Sequence, residues 1–180
     1  DAIRFFKGHG LACGMFLLPV IPGFTDSAEL LEEAVAKASG VGVDFIIFGG
    51  MTLKEGRQKA FFEEKIKDHY PRLEAEYRRI YRGSKWGEPA PEYSDALNRA
   101  FGAIARRHNM PIRMPPAFYQ DILGGNDLAV VILEHIDYLL RMQGQRSPFG
   151  RAAYTISQLS EPLSEWKGRL GDLKSVDETV

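Results

Sequence analysis

Two junctions constrain this chain more than any other feature: Phe16-Leu17-Leu18-Pro19-Val20-Ile21-Pro22-Gly23-Phe24-Thr25-Asp26 and Phe45-Ile46-Ile47-Phe48-Gly49-Gly50-Met51-Thr52-Leu53. Each opens on a short apolar run without alternation, the pattern of a strand buried on both faces, and each meets glycine where the chain would leave a sheet. Glycine at that point lets backbone approach a ligand at the carboxyl edge of a parallel sheet, where α/β folds hold their ligands. The first half of the chain repeats this helix-then-strand unit about every thirty residues, which predicts parallel strands joined by right-handed crossovers.

Around these junctions the local signals agree. Ala2, Ile3, Phe5 and Phe6 make a short apolar helix face within residues 1–7, Gly8-His9-Gly10 ends it, and Leu11 to Ile21 supplies a strand. A helix is expected from Ser27 to about Ser39, with Leu30, Leu31, Ala34, Val35 and Ala38 on one face. Asp26 is placed to cap its first turn, with Glu29 three residues on as the reciprocal partner of a capping box. Gly40 and Gly42 stop it, and Val43 to Phe48 forms the second strand.

After Gly56 the pattern turns helical. Helices are expected over Arg57–His69, from Pro71 with Leu73, Tyr77, Ile80 and Tyr81, and from Tyr93 through Leu97, Phe101 and Ile104 to Asn109. Residues 83–91 are the clearest loop, and Ile112 to Met114 a brief strand. Leu128–Met142, Phe149–Leu159 and a segment opened by Pro162 and ending near Leu170 are the last helices, with a frayed tail expected from Gly171.

A chain of 180 residues with 44% apolar content can bury one core of ordinary size. Its net charge of -1 argues against a surface built wholly for nucleic acid. A single cysteine excludes an internal disulfide framework, so a reducing cytoplasm is the expected compartment. No run of about eighteen uncharged apolar residues is present to span a membrane. The sequence opens at Asp1, inside a helix and without methionine or signal-peptide core, as a piece of a longer polypeptide would.

Four pieces, in order, carry a family resemblance that covers Ala2 to roughly Ser160: Pro19 to Asp26, Phe48 to Gln58, Trp86-Gly87-Glu88-Pro89, and Met110-Pro111-Ile112-Arg113. Together they resemble the carboxyl-terminal half of radical S-adenosylmethionine proteins, in particular the group related to spore photoproduct lyase and labelled DNA repair photolyase. The resemblance implies an α/β chain forming strands five and six of a partial (βα) barrel of the TIM type, with a mostly helical carboxyl-terminal extension. Residues 1–57 would be the βα units, 58–123 a helical continuation of the barrel and 124–180 the extension.

The same resemblance implies a site for S-adenosylmethionine. Pro19, Ile21, Gly23 and Asp26 match the family's fifth-strand pattern GxIxGxxE in part, with Pro19 and Asp26 as departures. Ile21, next to Pro22, would lie against the adenine and Gly23 would leave room for the nucleoside. Phe48, Gly49, Gly50 and Met51 would bring main-chain groups to the polar edge of the base. Lys54 and Arg57 would hold the methionyl carboxylate or an anionic substrate, a role arginine performs with two parallel hydrogen bonds.

In that family the cofactor is cleaved reductively by a [4Fe–4S] cluster on three closely spaced cysteines, giving a 5′-deoxyadenosyl radical. Cys13 alone cannot make such a motif, so the cluster ligands, and any activity, would require a missing amino-terminal half supplied by the same parent chain or a partner. A DNA lesion is the substrate class the resemblance implies.

Two other readings remain open on the residues. One is a non-catalytic helical module that binds nucleic acid through Arg78, Arg79, Arg82 and Lys85 beside Tyr77, Tyr81 and Trp86, and through Arg106, Arg107 and Arg113. The other is a cluster-free nucleotide- or phosphate-binding barrel enzyme using Lys54 and Arg57. His9, His69, His108 and His135 have no zinc-site spacing, and no Walker A, GxGxxG or GxSxG sequence occurs.

Overall fold

The computed structural model describes residues 2–177 and 180, which fall into two compact units, Asp1–Ile112 and Arg113–Val180. The first unit contains strands β1 (Gly14–Val20) and β2 (Phe45–Gly50) and helices α1 (Ala2–Gly8), α2 (Ala28–Gly40), α3 (Arg57–His69), α4 (Glu74–Ile80) and α5 (Pro91–Arg107).

β1 and β2 pair in parallel, with Gly14 opposite Phe45 and Phe16 opposite Ile47. The register shifts between Leu17 and Val20, across Pro19, which has no N–H to give the ladder. Beyond the shift Val20 is opposite Gly50, and the Met51 N–H donates to the Val20 C=O at 3.0 Å, so the two strands end level. At their other end Asp44 ties three segments together. Its carboxylate takes the Lys7 ammonium at 2.7 Å and the Cys13 N–H at 2.7 Å, while its own N–H donates to the Cys13 C=O at 2.8 Å.

One face of this pair carries the core. Met15, Leu17, Ile46 and Phe48 pack with Leu31 and Val35 of α2 and with Leu97, Phe101 and Ile104 of α5. The Phe48 and Phe101 rings stack with centroids 3.9 Å apart and planes 8° from parallel. The buried stripe of α2 is Leu31, Val35 and Ala38, whereas Leu30, expected on the same face, is 44% exposed.

On the other face stand Gly14, Phe16 and Leu18 of β1 beside Phe45, Ile47 and Gly49 of β2, as the two-residue side-chain period requires. Phe45 folds over Gly14, where a Cβ would come within 2.1 Å of its ring. Phe16 remains 70% and Leu18 47% exposed.

The expected barrel fragment, an α/β chain forming strands five and six of a TIM-type barrel, is therefore not what this chain forms. Among the described residues the sheet stops at two strands and the molecule is mostly helical. A run of phenylalanine and leucine reads the same whether its second face is packed or open, so the lack of alternation did not report burial on both sides. The brief strand expected at Ile112–Met114 is absent; instead the Pro111 C=O accepts the Ile46 N–H at 2.8 Å on the outer edge of β2.

The second unit is built on α6 (Gly125–Met142) and α7 (Phe149–Ser157). Asp137 of α6, buried, accepts the Gly150 N–H at 3.1 Å and the Arg141 Nε at 2.7 Å, which fixes the start of α7 against α6. Asn126 bridges residues 161–163 by donating to the Glu161 C=O at 2.8 Å and accepting the Leu163 N–H at 2.6 Å. The helix expected from Pro162 to Leu170 resolves into 3-10 turns at Leu163–Trp166 and Leu170–Asp172. The tail expected to fray from Gly171 packs through Leu173 and Val176 against Ala152. Residues 178–179 at its end, and Asp1 at the start of the helix expected over residues 1–7, lie outside the described residues. No described helix is long and apolar enough to cross a membrane.

Two outcomes follow for the first unit. Phe101→Ala empties a site in contact with Phe48, and should cost about 3–5 kcal/mol in a urea titration. Phe16 and Leu18 lie on an open strand face, so light scattering should find self-association that rises with concentration and falls in a Phe16→Ser, Leu18→Thr variant. A monodisperse monomer at high concentration contradicts the second expectation.

Candidate functional site

The two junctions meet at the carboxyl ends of β1 and β2. Pro22 is fully buried, Ile21 half-buried and Gly23 exposed on the loop leaving β1; Gly50 is exposed and Met51 half-buried where β2 ends. Because Val20 lies opposite Gly50, the structure brings Ile21, Pro22 and Gly23 beside Gly50 and Met51 on one edge. Phe48 is different: its ring belongs to the core against Phe101.

The glycines on this edge have different causes. Gly23 adopts φ +73°, which disfavours any side chain, and its missing Cβ would lie 3.0 Å from Leu73. Gly49 and Gly50 lie within β2 and neither has a positive φ. A Cβ on Gly49 would sit 3.5 Å from Leu18, and one on Gly50 3.6 Å from Leu97, both ordinary contacts. Neither backbone conformation nor Cβ packing among the described residues requires glycine at these two positions.

Behind the edge is a group of tyrosines that the sequence pattern assigns to helix faces and, for Tyr77 and Tyr81, to a basic-aromatic patch. Tyr77 of α4 donates its hydroxyl to the Pro22 C=O at 2.8 Å, and Tyr81, which caps that helix, donates to the Met51 C=O at 2.9 Å. Tyr93 of α5 donates to Asp26 Oδ2 at 2.8 Å, and Asp26 Oδ1 accepts the Gly23 N–H at 2.8 Å. Leu53, Leu73, Tyr77, Ile80 and Tyr81 form a second apolar core around these bonds. Burial pushes the Tyr81 phenol up to about 12, helped by the Asp26 carboxylate. Tyr77 and Tyr93 are raised further, each chiefly by burial, and Tyr93 also by its bond to Asp26.

Asp26 is thus not the helix cap its position suggests. Ser27 caps α2 by accepting the Leu30 N–H at 3.3 Å, and Asp26 turns back to brace the loop before it. A buried tyrosine hydroxyl needs a partner. That requirement was the one available signal that Tyr77, Tyr81 and Tyr93 do more than fill space.

The loop expected at residues 83–91 reaches the same edge. Leu53 N–H donates to the Gly87 C=O at 2.7 Å, and Gly87, at φ +75°, lies so close that a Cβ would come within 2.1 Å of the Leu53 carbonyl carbon. This places exposed Trp86 beside Lys54, whose ammonium is 4.5 Å from the ring centroid, with Lys85 at 5.8 Å. Arg57 is exposed at the first position of α3.

The basic clusters are interleaved with carboxylates. Arg78 pairs with Glu74, Arg82 with Glu92 at 3.2 Å, and Arg107 with Glu32. Arg113 stacks on Tyr138 at 4.7 Å. Among the described residues no group of three histidine, cysteine or acidic side chains is arranged to hold a metal ion. Cys13 is half-buried, with Sγ 3.7 Å from the Leu11 carbonyl oxygen.

Set against known proteins, the chain is similar to an uncharacterized protein of Mycobacterium bovis and to two of Mycobacterium tuberculosis, each 24% identical over 108 residues. These matches cover 60% of this chain and 31% of each relative. No family model matches the chain. No solved structure matches it either.

Folding raises the buried phenols above their unfolded value near 10, so their contribution to stability is complete below about pH 10 and is lost as pH climbs toward the folded values. In an alkaline titration followed by phenolate absorbance and circular dichroism, Tyr77, Tyr81 and Tyr93 should ionise together with unfolding. Phenolate at these three positions near pH 10 in a folded chain contradicts their burial.

Proposed function

We propose that the carboxyl edge of β1 and β2 binds the nucleoside part of S-adenosylmethionine, and that this chain is one portion of a cytoplasmic radical S-adenosylmethionine protein. The observation that carries this reading is the Gly49-Gly50 pair, for which neither a positive φ nor a close contact among the described residues calls for glycine, and which leaves backbone bare at the edge where parallel strands present ligands. It is supported by the meeting of three segments far apart in sequence, Ile21–Gly23, Gly49–Met51 and the Trp86-Gly87 turn, at that edge.

The residues fit the nucleoside. Ile21 offers apolar surface to a base, Gly49 and Gly50 let it approach the main chain, and Lys54 and Arg57 supply exposed cations for a carboxylate. S-Adenosylmethionine, once reduced, supplies a radical that abstracts hydrogen from a substrate. The residues do not fit the cluster that performs the reduction. Cys13 is the chain's one cysteine, so the donor set for iron would come from other polypeptide. That other polypeptide would also cover Phe16 and Leu18 on the open face of β1.

Titration of the 15N-labelled chain with S-adenosylmethionine should shift the amide signals of Gly23, Gly49, Gly50 and Met51, with a dissociation constant no tighter than high micromolar. A Cβ at position 49 makes only an ordinary contact, so Gly49→Ala should leave the melting temperature unchanged or higher while weakening or abolishing the shifts. Millimolar ligand that moves none of these signals would sink the proposal. A Gly49→Ala chain that binds normally would remove its main support.

A further inference from the structure

We infer that Tyr77 and Tyr81 are positioning residues that set the separation of the two loops at the carboxyl edge, an inference resting on the nucleoside-binding reading above. The geometry is specific. The two tyrosines are four residues apart, hence on one helix face, and their rings stack with centroids 5.9 Å apart and planes 17° from parallel. One hydroxyl reaches the Pro22 carbonyl beyond β1, and the other the Met51 carbonyl beyond β2. A single rigid element therefore holds both banks of the proposed site, and the spacing between the banks is the spacing between two hydroxyls on one helix.

Strand pairing by itself does not fix this spacing. The last ladder contacts are Val20 opposite Gly50 and the Met51 N–H on the Val20 carbonyl. The loop leaving β1 then turns away through Gly23 at φ +73°. Its local bonds run within the loop, from the Ile21 N–H to Thr25 Oγ1 at 2.8 Å and from the Gly23 N–H to Asp26 at 2.8 Å. These shape the loop without setting its distance from Met51. Tyr93 hydrogen-bonds Asp26 from α5, on the β1 bank, and packs against the apolar cluster that includes Leu53. Of these side-chain hydrogen bonds, only those of the Tyr77–Tyr81 pair reach both banks.

A purely structural role and a positioning role differ in additivity. Hydroxyls that merely satisfy buried carbonyls contribute separately, so losses in Tyr77→Phe and Tyr81→Phe would add in the double variant and would appear in stability alone. A spacing set between two fixed points is lost when either point is released. Each single substitution should therefore weaken S-adenosylmethionine binding by about three- to tenfold, and the double variant should bind no more weakly than the weaker single.

Phenylalanine keeps the stacked rings, so all three variants should remain folded. Hydrogen exchange without ligand provides the separate check: amides of residues 23–26 should lose protection in Tyr77→Phe, and those of residues 51–54 in Tyr81→Phe, while α2 and α5 keep theirs. Tyr154→Phe, at an exposed hydroxyl, should alter neither measurement. Faster exchange with unchanged affinity, or additive losses of affinity, overturns the positioning role and leaves the binding reading standing. An unaltered chain that binds no S-adenosylmethionine overturns both, whatever the exchange result.

Discussion

The structure of the first unit depends on one parallel strand pair being closed on a single face. Two strands cannot stand alone in water, and here the stack of Phe48 on Phe101, with Ile46, Leu31, Val35 and Val20 around it, supplies the partner surface. Because α5 contributes Leu97, Phe101 and Ile104 to that surface and Tyr93 to the edge, the helix that buries the sheet also braces the loop beyond it. Packing and site geometry share an element, so neither varies independently of the other.

The same closure explains the uneven surface. Side chains of β1 alternate between the core and an open face, and the open side carries Phe16 and Leu18 where a solvated strand would carry polar residues. The matches span 31% of each mycobacterial relative, so those proteins extend well beyond the matched segment.

Elements with a strong period were legible from sequence. Arg57–His69 and the helix holding Leu97, Phe101 and Ile104 lie where their spacing puts them, because a helical stripe is a repeated signal over many residues. The parallel relation of the two junctions was legible too, since a helix stands between them. What failed was any inference that needed knowledge of a neighbour. Phe16 and Ile46 are equally apolar, yet one is open and the other buried, and nothing local separates them. Asp26 and Ser27 are both good caps; the choice fell to Ser27 because Tyr93, 67 residues away, claims the carboxylate. The segment after Pro162 lacks the helix expected of it, and Gly168 and Gly171, both poor helix formers, fall within or beside it.

The glycines at the edge show how a site can be separated from a scaffold by elimination. Gly87 is explained by the Leu53 backbone pressed against it, and Gly23 by its left-handed conformation. Each would be glycine in a protein that bound nothing. Gly49 and Gly50 have neither cause, and they weaken the strand they end, because glycine gives up more conformational entropy on folding than any other residue and packs no side chain. A destabilising choice repeated at adjacent positions, beside two loops that a pair of tyrosines holds in place, supports the proposal that this backbone is kept bare for contact with something outside the chain. By these two criteria Gly124 and Gly125 are equally without a cause, so what distinguishes Gly49 and Gly50 is their place at the carboxyl end of a parallel strand pair.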